Sequence, residues 1–441
     1  MSSRVVRCVL FSCAGLFLAA SPALAQRDLE VPIQFDFINP GARSLALAGA
    51  FIGLADDATA ATTNPAGLQR LGRPEVSIEG RGWKFITDFV QGGRLSGTVT
   101  NIGIDTTDGP VFADTSERVT GISFLSFVYP HGRWSIAGYR QEASRLKGSA
   151  STEGAFFTAP TDLGLQEFRE YPSVLARKLD VYNYGGSFAY RFGKVSLGAG
   201  INFSQLKLDS ALVGYELPSL APPAFYGPAT YTTPRFGSTQ ESDDWSLGFT
   251  GGVLIVPNDK FQVGASYRRG ARFNFDGQFV YPDPQFSDLT AMYTDEFKVP
   301  DNFGVGVAVR PFDGLTISSD INRVSYSDLQ SFIRAQVRFN VNDQNLYSIE
   351  DATEVHLGGE YVLTGIRFLP ALRGGFWRES EHAVMYAGQD PLYQATATLG
   401  TAVKHYSVGG GIAPSQRFEV NAGFDFSKRA NTMSFSGIIR F

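Results

Sequence analysis

Hydrophobic and polar residues alternate with a period of two over much of the chain. From Val195 to Ser204 the odd positions carry Val, Leu, Ala, Ile and Phe, while the even positions carry only Ser, Gly and Asn. The same alternation runs through residues 245–255 and 418–427. A period of two with one apolar face predicts β-strands. Such strands fit a soluble sandwich, whose apolar face meets a second sheet, or a membrane barrel with a polar lumen.

Two features of these strands favour the barrel. Their polar face consists mainly of Gly, Ser, Asn and Asp, as a lumen does, and aromatic residues recur near strand ends, as at Tyr190, Phe192 and Trp245. Short turns such as 130–132 and 257–259 also alternate with long loops. Outer-membrane barrels combine short periplasmic turns, long outer loops and an even number of strands.

The alternating segments predict an all-β chain, a transmembrane antiparallel β-barrel of about fourteen strands. The predicted strands are residues 73–86, 115–129, 133–148, 178–192, 194–208, 243–256, 260–276, 298–310, 314–327, 351–363, 369–379, 403–414, 416–428 and 431–441. The long outer loops are predicted at residues 149–177, 209–242, 277–297, 328–350 and 380–402.

Composition supports this fold class and excludes others. The 441 residues are 43% hydrophobic and 13% aromatic, which excludes a disordered chain, and only 18% are charged. No apolar run of 18 residues follows the N-terminal region, which excludes a bundle of membrane-spanning helices. The net charge of -5 argues against a nucleic acid partner, because nucleic acid binding requires a basic face.

The N-terminal residues have the pattern of a cleaved signal peptide. Two arginines, an apolar run and an Ala-Leu-Ala site follow one another within residues 1–25, so the mature chain is predicted to begin near Gln26. Both cysteines, Cys8 and Cys13, lie inside this peptide. The exported chain is therefore predicted to have no disulfide.

Residues 26–72 differ from the strand region at 73–441. They are rich in Ala and Gly, have short helical potential at 41–61 and end in a segment punctuated by Pro and Gly. A fourteen-stranded barrel is too wide for its own side chains to fill, so it leaks unless something occupies the lumen. We therefore predict that residues 26–72 form a plug with short helices. The alternative is a flexible periplasmic extension.

The last predicted strand is amphipathic and ends on Phe441. A terminal strand of this kind resembles the signal that the outer-membrane barrel assembly machinery reads. We therefore expect this machinery and outer-membrane lipids as partners. The expected location is the outer membrane of a Gram-negative-type bacterium.

Enzymatic and metal-binding functions find little support. The histidines are widely spaced, at His131, His356, His382 and His405. His405, beside Tyr406 and Ser407, is the only local set that resembles a hydrolase dyad, and adjacent strand residues point to opposite faces. Asp56 and Asp57 are too few oxygen ligands for calcium, and a helix cap or plug-to-wall hydrogen bonds are favoured. We predict no catalytic residue, no metal and no cofactor.

Residues Pro40–Leu68 read PGARSLALAGAFIGLADDATAATTNPAGL. This run resembles the N-terminal hatch of the FadL-type outer-membrane transporters of long-chain fatty acids and other hydrophobic compounds. Asn64, Pro65 and Ala66 match the Asn-Pro-Ala motif of that hatch. Further segments that resemble the family are Lys298–Asp328 and Glu354–Leu363. A sister branch with the same hatch, the PorV-like proteins, serves in secretion, so the resemblance leaves the cargo open.

Two of the predicted outer loops, 209–242 and 277–297, are rich in aromatic residues, whereas loops that face only water should be polar. The resemblance implies that such loops form an apolar groove that captures ligand, which then passes inward and leaves sideways through the wall. The predicted ligand-binding residues are Phe225, Tyr226, Phe286, Met292 and Tyr293. The alternative is that these aromatic side chains only pack the two loops together.

Three functions remain. The favoured one is passive uptake of a hydrophobic small molecule, such as a long-chain fatty acid, through a plugged barrel. The second is a PorV-like role as a shuttle or attachment component in protein secretion. The third is an open general porin, which the plug and the apolar loops disfavour because a porin lumen should carry charged constriction residues.

Overall fold

The computed structural model describes residues 39–281, 289–336, 344–382, 384–389 and 402–441. In these residues one antiparallel sheet closes on itself, because the first strand, β1 (Glu75–Arg94), pairs with the last, β20 (Ala430–Arg440). The predicted signal peptide lies outside the described residues, as do residues 26–38 of the predicted plug and Phe286.

The wall is built from strands that pair in chain order. They are β2 (Gly109–His131), β3 (Trp134–Thr152), β6 (Ser173–Phe192), β7 (Val195–Tyr215), β8 (Pro234–Asn258), β9 (Phe261–Arg269), β10 (Arg272–Tyr281), β11 (Leu289–Lys298), β12 (Asn302–Val309), β13 (Leu315–Val324), β15 (Ala352–Val362), β16 (Ala371–Glu379), β18 (Val403–Ser415) and β19 (Phe418–Phe426), besides β1 and β20. A hairpin of β4 (Phe156–Thr161) and β5 (Gly164–Arg169) joins the outer end of β1 through a single parallel bridge between Arg94 and Phe156. A two-stranded pair, β14 (Tyr347–Ser348) with β17 (Met385–Tyr386), stands apart from the wall. Because β9 with β10, and β11 with β12, each make one crossing, the barrel has fourteen crossings and the predicted fold is confirmed.

Each predicted strand overlaps an observed wall strand, but several outer ends extend further. Strand β2 begins at Gly109 and β8 at Pro234. The predicted loop at 277–297 is wrong over most of its length, because β10 and β11 stay paired out to Tyr281 and Leu289. Beyond the membrane no lipid imposes an apolar face, so pairing continues where the alternation of the sequence fades.

The short turns lie at the end of the barrel opposite the long loops. Gly132 and Gly193 occupy two such turns with φ of 60° and 64°, a left-handed conformation that favours glycine. Between the two ends, large apolar side chains point outward, including Phe188, Leu197 and Phe249. No helix among the described residues is long and apolar enough to cross a membrane.

The described residues ahead of β1 lie inside the barrel. They form α1 (Ala42–Ala46), α2 (Ala60–Thr63) and a 3₁₀ helix at Pro65–Arg70. Phe51 and Leu68 are fully buried and pack in one cluster with lumen-facing residues of the wall. We call residues 39–72 the plug. The division of the chain at residues 26 and 72 stays a prediction.

Candidate functional site

A ring of wall glycines seats the plug. At each of these glycines an added Cβ atom would overlap plug atoms or, at one position, both the plug and a wall carboxylate. They are Gly198, Gly252, Gly264, Gly306, Gly358, Gly375, Gly409 and Gly423, on eight wall strands. The absence of side chains lets the plug backbone reach the wall, so plug and wall meet without a gap at these positions.

Polar bonds fix the plug on this seat. The carboxylate of Asp320, on β13, is fully buried and accepts hydrogen bonds from the backbone N–H groups of Phe51 and Ile52 at 2.6 and 2.7 Å. Ser187 donates to the Ala61 carbonyl at 2.6 Å from the other side of the lumen. These two charge-assisted hydrogen bonds hold residues 51 and 52 of the plug to β13, so Asp320 anchors the plug to the wall.

The predicted hatch motif lies on the seat. Asn64 is fully buried, and its Nδ2 donates to the carbonyl of Ile52 at 3.0 Å and to that of Val253, on β8, at 3.1 Å. Pro65 begins the 3₁₀ helix, where the missing N–H costs nothing, and Ala66 contacts the wall at Gly198. The motif thus links two parts of the plug to each other and to the wall. Its role in transport stays a prediction.

The two adjacent aspartates of the plug share Arg43 as an ion-pair partner and differ in their other contacts. Asp56 forms ion pairs with Arg43 at 2.6 Å and with Arg310 of the wall at 3.1 Å. Asp57 accepts bonds from the backbone N–H and the hydroxyl of Thr59, at the start of α2. The plug-to-wall bond considered from the sequence is therefore present, whereas the bonds from Thr59 to Asp57 precede α2 and do not cap it.

The lumen above the plug is polar. Two small cavities adjoin there; one is lined by plug and wall side chains including Thr63, Asn322 and His356, the other by Asn183 and Asn202 among others. Neither of these two cavities is large enough to hold an alkyl chain.

The histidines of this region are structural. His405 lies between Asp425, at 2.7 Å, and Glu379, at 3.2 Å, and stacks on Trp377 with ring centroids 3.8 Å apart. Ser407 donates to Asp425 and not to the histidine, so the resemblance to a hydrolase dyad has no geometric basis. In the described parts of the chain no group of His, Cys, Asp and Glu is arranged to hold a metal ion.

Apolar side chains pack together in the outer half of the lumen, and we call this buried cluster the apolar chamber. Leu206 and Leu208 of β7 meet Phe273 and Phe275 of β10 there, together with Phe297 of β11. The loop after β13 folds over them and closes the chamber with Phe332 of α3 (Gln330–Gln336), whose ring centroid lies 5.2 Å from that of Phe297. Sequence reasoning missed this chamber. The available signal was the apolar residues on the inward face, such as the two leucines of β7, where a lumen is expected to be polar.

The predicted capture residues do not form one groove. Phe225 and Tyr226 lie in an outer 3₁₀ helix, 8% and 6% exposed, and pack on Phe156 of the β4–β5 hairpin. Tyr293 packs against the chamber instead, and Met292 is 79% exposed on β11. The burial of Phe225 and Tyr226 supports the alternative that these aromatic side chains pack the outer loops.

A buried ion cluster holds that outer loop core together. Arg94 donates to both oxygens of Asp105, at 3.0 and 2.6 Å, and to both oxygens of Glu167. The hydrogen bonds from Arg94 lower the pKa of Glu167. Burial alone would raise the pKa of Asp105, but the bonds from Arg94 and Thr100 lower it below its usual value.

The wall is interrupted between β2 and β3. Their ladder ends at Phe124 and Gln141, beyond which β2 pairs with β1 while β3 pairs with β6. The register shifts by one residue in the ladder on each side of this point. The extra residue is Ser123 of β2 in the β1–β2 ladder and Ala143 of β3 in the β3–β6 ladder, and both are bulges. Arg145 reaches across the divergence and donates to the Thr120 carbonyl at 3.2 Å.

These features define an outer-membrane β-barrel with an internal plug, an apolar outer chamber and an interrupted wall. The family model for outer membrane protein transport proteins (OMPP1/FadL/TodX) matches residues 173–429. The chain belongs to this family and is an outer-membrane protein of Gram-negative bacteria. The family and its structural neighbours are transport channels rather than enzymes.

Solved structures of similar fold agree. A Pseudomonas aeruginosa FadL homologue has a TM-score of 0.62 at 13% identity, covering 94% of this chain and 100% of its own. The Pseudomonas putida toluene transporter TodX has a TM-score of 0.56 at 15% identity, covering 92% of this chain and 99% of its own. The CymD monoaromatic hydrocarbon channel has a TM-score of 0.54 at 15% identity, covering 92% and 99%. A search of curated protein sequences finds no match.

Proposed function

We propose that the protein takes up hydrophobic small molecules such as long-chain fatty acids across the outer membrane without an energy source. The observation that carries the proposal is the apolar chamber between the outer loops and the polar zone above the plug. A chain that buries about 300 Å² at about 25 cal/mol per Å² gains several kcal/mol before entropy costs. Such a gain supports capture in the micromolar to millimolar range.

A cation at the edge of the chamber fits a carboxylate head group. The guanidinium of Arg177 lies 6.0 Å from the ring centroid of Phe332, and its Nε donates to the Ser210 hydroxyl at 3.2 Å. An alkyl carboxylate placed with its chain among the phenylalanines brings its charge toward this guanidinium. We therefore favour fatty acids over alkanes as cargo.

The interruption between β2 and β3 offers the exit. It lies in the outer half of the wall, and the chamber extends to it, because Leu146 of β3 belongs to the chamber and Ala143 packs against it. Passage through the plug would have to break the seat formed by the glycine ring. A cargo that leaves sideways into the membrane avoids both the seat and the polar zone above it.

The test measures uptake and binding of a series of alkyl carboxylates and matching alkanes. The variant Phe275→Ser/Phe297→Ser changes two buried chamber residues, and Met292→Ser is the control because that side chain is exposed. We expect affinity to rise with chain length in wild type and in the control, and to fall at least about tenfold in the chamber variant, since each buried phenylalanine contributes more than 1.4 kcal/mol.

Arg177→Gln should weaken binding of carboxylates and leave alkanes unchanged. The uptake proposal is contradicted if the chamber variant and wild type bind ligand with equal affinity, or if affinity does not depend on chain length. Nothing in the comparisons favours the PorV-like shuttle, and that function becomes the leading candidate only in this outcome.

A further inference from the structure

Four basic side chains on the outer surface of the barrel form two like-charged pairs. Arg378 of β16 stands directly opposite Lys404 of β18, and Lys84 of β1 stands directly opposite Arg118 of β2. Residues directly opposite each other have Cβ atoms about 5 Å apart, and like charges in this position are destabilising. We call these four residues the basic belt.

The belt faces outward at the level of lipid head groups. On β16 and β18 the neighbours Trp377 and His405 are buried in the lumen, which places Arg378 and Lys404 on the opposite face. Phe376 and Tyr406 occupy the next outward positions toward the membrane centre, and their ring centroids lie 5.5 Å apart. The belt is on the side of the long loops, and therefore at the outer leaflet.

No protein group neutralises the belt in the part of the chain that the structure describes. Within the described ranges, none of its four side chains has a partner in an ion pair or in a side-chain hydrogen bond. The nearest outward carboxylates on β1 and β2, Asp88 and Asp114, lie four residues further out, about 13 Å along the strands.

Three other outward cations at this end of the barrel do have acidic partners. One is Lys178 of β6, which stands directly opposite Lys147 of β3 and pairs with Asp180 at 3.7 Å. Arg272 pairs with Glu296 at 2.8 Å, and Arg323 pairs with Asp351 at 3.7 Å. Among the described residues, both pairs of the belt differ from these three cations in having no ion-pair partner. Two pairs of cations beside an apolar, lipid-facing surface are stabilised by an anion, and the head groups of anionic lipids supply one.

We propose that each pair of the basic belt binds a phosphate group of an anionic lipid of the outer leaflet. The two pairs are about 19 Å apart across four strand spacings, so a separate lipid molecule occupies each pair. The aliphatic stems of the side chains lie along the apolar surface, while their charged ends reach the head group. A phosphate between Arg378 and Lys404 removes the repulsion between them and accepts charge-assisted hydrogen bonds from both. Lipid of this kind then lines β16 to β2, next to the β2–β3 exit.

The test uses the mature chain purified in detergent and measures binding of lipid A by native mass spectrometry. The variants are Arg378→Gln/Lys404→Gln and Lys84→Gln/Arg118→Gln. In each variant the altered pair should bind lipid A about 30-fold more weakly, equivalent to about 2 kcal/mol at 1.4 kcal/mol per tenfold change, so the spectra should show one bound lipid A fewer than in wild type. The control Arg272→Gln removes a cation that already has a partner and should stay within about twofold of wild type.

Three outcomes decide the proposal. Dephosphorylated lipid A should bind wild type as weakly as lipid A binds the altered pair of each variant. Equal binding of the two lipids, or unchanged binding by both double variants, overturns the site. Displacement of lipid A by millimolar inorganic phosphate assigns the belt to a free anion and overturns the lipid as its ligand. All variants should keep the heat-modifiable mobility of a folded barrel, because the substitutions lie on the surface.

Discussion

Arg43 of the plug and Glu360 of β15 form a two-point ion pair inside the barrel. Nε and Nη2 of the arginine donate to the two carboxylate oxygens, each at 2.9 Å. The side chains are 13% and 6% exposed, and Arg373 donates to the same carboxylate at 2.6 Å. A fork-to-fork contact between two buried charges is both strong and directional, so it fixes where α1 sits against the wall.

Glu360→Gln should loosen the plug. Glu360 is the carboxylate that Arg43 and Arg373 share, and removing one partner of a buried pair costs about 3–5 kcal/mol when the other charge loses all compensation. Arg43 keeps its ion pair with Asp56, so the expected cost lies toward the lower end of that range. The barrel should still fold, since its ladder is unchanged. The measurement is ion conductance in planar bilayers, which should rise. Glu296→Gln, which removes an exposed pair worth less than about 1 kcal/mol, is the control, and wild-type conductance in Glu360→Gln contradicts the prediction.

Gly198→Val should displace the plug from its seat. A Cβ at this position overlaps the backbone of Pro65 and Ala66, which cannot move aside as a flexible side chain can. We expect increased conductance and faster proteolysis of the plug. Gly138→Val is the matched control, because nothing lies within 4 Å of its Cβ position. Similar behaviour of the two variants would show that strand glycines matter here only for the barrel itself.

Asn64→Ala and Pro65→Ala separate the two features of the hatch motif. The first removes bonds to Ile52 and Val253 and leaves buried carbonyls without a partner, at about 1–3 kcal/mol. The second frees φ at the start of the 3₁₀ helix and costs less. Leak should therefore rise more in Asn64→Ala, with ligand uptake reduced. If uptake and conductance stay at wild-type levels in both variants, the motif has only a structural role.

Deleting Ala143 should close the exit between β2 and β3. Ala143 is the bulged residue of β3, and without it the register permits pairing to continue past Gln141. Uptake of a fatty acid should fall at least about tenfold while the barrel stays heat-modifiable, as expected if the only route is blocked. Ala143→Ser keeps the bulge and should transport normally. Normal uptake by the deletion variant excludes this exit.

The outer loop core should loosen in acid. Asp105 and Glu167 have lowered pKa values in the folded state, so their contribution is complete above the ordinary carboxyl range near pH 4 and is lost as the pH falls through the folded values. Amide exchange in residues 95–108 should be equal at pH 7 and pH 5, after correction for intrinsic rates, and faster at pH 3. Asp105→Asn should show the faster exchange already at pH 7; protection that is independent of pH contradicts the assignment.

The sequence alone determined the barrel. Lipid outside and water inside impose a period of two on every strand. Because the membrane core has no water to bond backbone N–H and C=O groups, the strands must also close into a barrel in which every such group is paired. For that reason all fourteen predicted strands overlap observed ones. The small residues of 41–61 likewise indicated an element with no strand pattern, and the structure describes short helices there.

Only the tertiary structure decided the site. The glycine ring joins positions from eight strands, and no local pattern separates Gly198, which touches the plug, from Gly138, which touches nothing. The predicted groove combined Phe225 with Met292 because both were assigned to loops, whereas pairing of β10 with β11 places Met292 on the wall. Alternation reports which face a residue occupies. It carries no information on which strands come together across the lumen, and that depends on closure of the barrel around the plug.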